Sequence, residues 1–112
     1  MKLFKKVVTA LVLIGLAMLP AGADTIRAVP KGCHTITSFS GSSALPTIDA
    51  GATFMVYSVE GNTVRYRDDG TAPTATVGIL LQLGVSYYSG TLSAIQFIPT
   101  TGSAVVNYCD YQ

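Results

Sequence analysis

The chain offers few groups that could do chemistry. It has one histidine, His34, and two cysteines, Cys33 and Cys109. A transition-metal site built on His34 would lack the second nitrogen ligand such sites usually have, and cysteines held in a disulfide cannot ligate. Serine, histidine and aspartate all occur, but no Gly-x-Ser-x-Gly elbow presents a nucleophile. There is no Walker loop and no Gly-x-Gly-x-x-Gly run. Glycoside hydrolysis needs two acids facing one another across a cleft. Asp68 and Asp69 are adjacent, and on a strand they would point apart. The expectation is a non-enzymatic protein with no cofactor and no metal ion.

Charge gathers in one stretch, "VRYRDDGTAPTATVG", residues 64–78. On a strand Arg65 and Arg67 project to one side and Val64 and Tyr66 to the other. Asp68-Asp69-Gly70 then reads as a turn, in which aspartate accepts backbone N–H groups and glycine takes positive φ. The charges are expected to mark a solvent face running into a turn, with an aspartate paired to an arginine and ordering the connection from Pro73 to Gly78. Calcium would need oxygen ligands at alternate positions, which "DDGTAPT" does not supply. Arg65, Arg67, Asp68 and Asp69 are instead candidates for contact with a protein partner, as are Tyr87 and Tyr88.

The opening of the chain has Lys2, Lys5 and Lys6, then an apolar run from Val7 to Leu19 and small residues at 21–23. This predicts a secretory signal peptide over residues 1–23 and one domain over 24–112, with the membrane met only during export. A periplasmic or extracellular location follows. Beyond the leader four basic residues face six acidic ones. Four scattered cations are too few for a nucleic-acid surface. In an oxidising compartment Cys33 and Cys109, one near each end of the domain, are expected to join the first and last strands as a disulfide.

The elements that must position these groups read as strands. Period-two patterns and turn residues dominate, and no segment beyond the leader keeps helical spacing for three turns. In "TFMVYSVEG" Phe54 and Val56 face one way and Met55, Tyr57 and Val59 the other, so a central strand is expected. Glu60-Gly61-Asn62 predicts a tight hairpin with "TVRYR" as the returning partner. "GILLQLGVSYYSG" reads as one strand with a bend or bulge at Gly84, "LSAIQFI" as another with Ile95 and Phe97 inward, and "AVVNYCDY" as the last. A first strand runs around His34 to Phe39. Six or seven short strands predict an all-β fold, a small antiparallel β-sandwich or jelly roll.

The ordered combination of "VRYRDDGTAPTATVG", a Leu-rich strand and "LSAIQFIPTTGSAVVNY" resembles small virion-associated proteins of tailed bacteriophages, over roughly Thr53 to Tyr111. That resemblance implies a structural or accessory role such as capsid decoration, with a capsid or other virion protein as partner and no catalytic residues. The leader and the cysteine pair depart from it, because both suit an exported protein. A small homo-oligomer is expected, since open sheet edges must be covered. The alternative is a secreted or periplasmic module that binds carbohydrate or an envelope component on tyrosine faces. A third reading, an exported inhibitor, would insert the loop Thr71 to Val77.

Overall fold

A computed structural model describes residues 27–112. The predicted signal peptide lies outside the described residues. Eight strands form two four-stranded antiparallel sheets: β1 Pro30–Phe39, β2 Ser43–Ala44, β3 Phe54–Glu60, β4 Val64–Arg67, β5 Ile79–Leu81, β6 Gly84–Ser89, β7 Gln96–Pro99 and β8 Ala104–Tyr111. One sheet runs β1-β8-β3-β6 and the other β2-β7-β4-β5. The all-β sandwich expected from the strand pattern is therefore present, with one 3-10 turn among the described residues, at Leu92–Ala94. No described helix is long and apolar enough to cross a membrane.

Alternation along the strands builds the core. Met55, Tyr57 and Val59 of β3 and Ala104, Val106 and Tyr108 of β8 point inward and are buried, as does Ile36 of β1. Val64 and Phe97 of the opposite sheet, with Ile95 just before β7, meet them and are fully buried. Aromatic rings bridge the layers: Tyr57 to Phe97 at 5.7 Å and Tyr66 to Phe97 at 6.3 Å between centroids. Each large buried side chain stabilises by about 1.5–3 kcal/mol, so these few residues supply most of the driving force for folding.

Two local readings need correction. β3 and β4 do not form a hairpin: β3 pairs with β8 and β6, whereas β4 pairs with β7 and β5. Gly61, at φ +84°, turns the chain across the sandwich instead of back along the same sheet. Asn62 Nδ2 donates to Ser103 O at 3.0 Å and ties this arch to its neighbour. Both faces of β3 are apolar because one meets the core and the other a partly covered exterior, a pattern that gives no information about which strand pairs with which. The Leu-rich stretch is likewise two strands in different sheets, β5 and β6, separated by Gln82 and Leu83, with Gly84 at φ +124° where the chain changes sheet. This division and the two-residue β2 raise the strand count above the six or seven expected.

Candidate functional site

The disulfide is the first element of the surface to be fixed. Cys33 and Cys109 are directly opposed in the β1–β8 register and bonded, joining the first and last strands as expected. They point to the outer side of their sheet, where the register aligns Cys33, Cys109, Val56 and Tyr87 in one row across four strands. Above that row Phe54 stacks on Tyr111 at 5.1 Å and meets Tyr87 at 5.7 Å. Below it lie Thr35, Asn107, Ser58 and Val85, which with Cys33, Cys109 and Val56 line a shallow groove.

The charged stretch is used largely within the chain. Arg65 donates from Nε to Ala75 O and from Nη1 to Gly78 O, both at 3.0 Å. It is this arginine that orders the long connection. Arg67 makes a two-pronged pair with Asp69, 3.1 Å and 2.5 Å, and Asp69 Oδ1 also accepts the Thr71 N–H at 3.1 Å. The aspartate–arginine pair expected from the sequence is thus Asp69 with Arg67. That pairing holds the Asp69 carboxyl below its usual range and raises the guanidinium. Arg67, Asp68 and Asp69 come together with Val77 and Ile79 around a second shallow cleft.

The tyrosines separate. Tyr87 is 62% exposed on the outer face. Tyr88, its neighbour on β6, points the other way, packs against the core and donates to Asp68 Oδ2 at 3.2 Å. Desolvation first, then the Asp68 charge, pushes its phenol up. Tyr108 is buried and is no part of an outer face.

Strand alternation gives no sign of the exposed edge of the sandwich. β5 and β6 are the outermost strands of their respective sheets, pair on one side only and follow one another in the chain. Along them Ile79 is 60% exposed, Leu83 57% and Val85 77%. From Gly70 to Cys109 the chain contains no Asp, Glu, Lys, Arg or His. Soluble proteins commonly blunt such edges with lysine, proline or an inward charge; β5 and β6 carry none of these. The charge-free run was the available signal.

A polar cluster was also missed. His34 Nε2 lies 2.6 Å from Asp49 Oδ2, and the Asp49 N–H donates to Asp110 Oδ2 at 2.8 Å. The hydrogen bond with His34 above all keeps the Asp49 carboxyl below its ordinary range. Asp110 is only 1% exposed, and its Oδ1 has no hydrogen-bond partner. An unsatisfied buried acceptor ordinarily costs about 1–3 kcal/mol. Among the described residues this is the one group of three side chains that could hold a metal ion. His34 is solitary only along the sequence: the carboxylates beside it arrive from 15 and 76 residues away.

Comparison of the chain with protein-family profiles, curated proteins and solved structures yields no match.

Proposed function

We propose that this protein is a non-enzymatic structural or accessory protein that works by surface contact and associates with a second copy of itself along the β5–β6 edge. The observation that supports this reading is the exposed, charge-free edge. Unpaired strand N–H and C=O groups are self-complementary across a two-fold axis, so the same strand of a second copy can continue the sheet. Like charges would oppose that approach, and there are none along these strands. Export is in keeping with the bridged cysteines. Decoration of a virion is supported by the sequence resemblance over Thr53 to Tyr111.

Sedimentation of the purified chain at high micromolar concentration tests the contact edge. A concentration-dependent dimer or higher oligomer is expected, dissolved by Val85→Lys with the disulfide and circular dichroism unchanged. A monomer at every concentration overturns self-association. Co-sedimentation with expanded phage capsids tests decoration, and absence of binding by the unmutated chain at micromolar concentration overturns it.

The aromatic group on the outer face favours a second reading, an exported module for carbohydrate or an envelope component. Tyr87 beside the Phe54–Tyr111 stack offers an apolar ring surface of the kind that stacks on sugar faces. Retardation in polysaccharide gels that is lost in Tyr87→Ala supports it; unretarded migration of the unmutated chain counts against it.

A further inference from the structure

We propose that His34, Asp49 and Asp110 form a binding site for a divalent first-row transition cation, with zinc as the probe. One donor atom from each residue lies within 4.8 Å of the other two. Zinc bonds to nitrogen and oxygen of about 2.0–2.2 Å place tetrahedral donor atoms roughly 3.4 Å apart. The His34–Asp49 contact of 2.6 Å need open by less than an ångström to admit the ion.

Three independent features prepare the site. The first is the buried Asp110 Oδ1, which has no hydrogen-bond partner although Oδ2 is held by the Asp49 N–H. The second is Gly32, which faces Asp110 in the β1–β8 register. A Cβ at Gly32 would stand 2.6 Å from Asp49 Oδ2 and 3.2 Å from His34 Nε2, so a side chain at this position would displace these donors from where they meet. The third is the Cys33–Cys109 bridge, which lies next in sequence to His34 on one strand and to Asp110 on the other. It fixes the two strands that bring those ligands, while Asp49 arrives on the segment between β2 and β3.

The donor set selects the ion. Imidazole nitrogen suits zinc, copper, iron and nickel, whereas calcium takes six to eight oxygens, more than this cluster provides. The ion would take the place of the direct His34–Asp49 hydrogen bond. The His34 and Asp49 side chains are 25% and 30% exposed, which leaves a path for the ion and for water to complete its coordination.

The test is titration calorimetry with zinc on the disulfide-bonded chain, without a histidine tag and in a non-coordinating buffer, alongside thermal unfolding. One zinc per chain and a zinc-dependent rise in Tm are expected, with no response to calcium at the same concentration. Asp49→Asn and Gly32→Ala should each weaken binding beyond the roughly 10- to 100-fold that loss of an outer-shell partner costs. Asp69→Asn, distant from the cluster, should bind as the unmutated chain does. Asp110→Asn is the obvious variant but alters a buried group, so Gly32→Ala, which intrudes on the site while keeping all three ligand residues in the sequence, is decisive. Absence of binding and of any Tm change by the unmutated chain overturns the proposal. So does unweakened binding by folded Gly32→Ala and Asp49→Asn, or a preference for calcium.

Discussion

Tyr108 holds both main-chain polar groups of Thr47: its hydroxyl donates to Thr47 O at 2.6 Å and accepts the Thr47 N–H at 3.2 Å, across 61 residues of chain. The ring is buried under β8 while the hydroxyl pins the segment that carries Asp49. Tyr108→Phe keeps the packing and strands two backbone groups. It should destabilise the fold by about 1–3 kcal/mol. Urea unfolding would show the midpoint lowered with the slope unchanged.

The bridge between Cys33 and Cys109 closes a loop across a sequence separation of 76. On the chain-entropy account, closure of a loop of that length contributes about 4–5 kcal/mol. That approaches the whole stability expected of so small a domain. Reduction, or the double change Cys33→Ser and Cys109→Ser, should leave the chain largely unfolded at 37 °C, read by loss of near-ultraviolet circular dichroism.

Arg65 spends its guanidinium on the carbonyls of Ala75 and Gly78. Arg65→Ala should loosen residues 71–78 and hasten their cleavage by a nonspecific protease. Lysine cannot reproduce a planar fork reaching two carbonyls, so Arg65→Lys should restore little of the resistance. If Arg65 served chiefly as a contact for a partner, neither change would alter the cleavage rate.

The Arg67–Asp69 pair responds to acid. The Asp69 carboxyl is held below its ordinary value by Arg67 and the Thr71 N–H. A group lowered in the folded state stabilises above its unfolded pKa, and that contribution disappears as pH falls through the lowered folded value. The Thr71 amide resonance should therefore shift at lower pH than an ordinary aspartate would dictate, and should stop tracking acid in Asp69→Asn. Both side chains are substantially exposed, so the effect is local order and not global stability.

Burial pushes the phenols of Tyr57 and Tyr108 up. A raised folded pKa gives stability that is complete below the ordinary phenol value near 10 and is lost as pH rises through the folded value. Absorbance at high pH should show the Tyr57 and Tyr108 phenols ionising only above the ordinary phenol range, together and as the fold opens. Ionisation of Tyr57 and Tyr108 within the ordinary phenol range without unfolding would contradict the burial.

Strand existence was legible because alternation is a local property. Phe97 and Ile95 face inward as their pattern says, and the cysteines join the strands they were expected to join. Pairing was not legible at Glu60-Gly61-Asn62, since a glycine at positive φ serves a hairpin and a sheet-crossing arch equally well. The same limit applies to the site. His34 looks chemically idle in sequence because neither Asp49 nor Asp110 is near it along the chain, and only the register of β1 on β8 and the Tyr108–Thr47 contact bring them to it. The exposed edge is different: its absence of charge was open to view, but its position at the margin of both sheets was not.

The placement of the Cys33–Cys109 bond has a mechanical consequence. β1 and β8 run antiparallel, and Val29 and Gln112 exchange backbone hydrogen bonds just outside the ladder. Tension entering from both sides at that point would peel the two strands apart a pair at a time, and would be arrested at the sulfur bond after the pairs at Pro30 and Gly32. Everything enclosed by the bond would be bypassed by the load, so a pull could lengthen this protein by only a few residues while the sandwich beyond stayed folded.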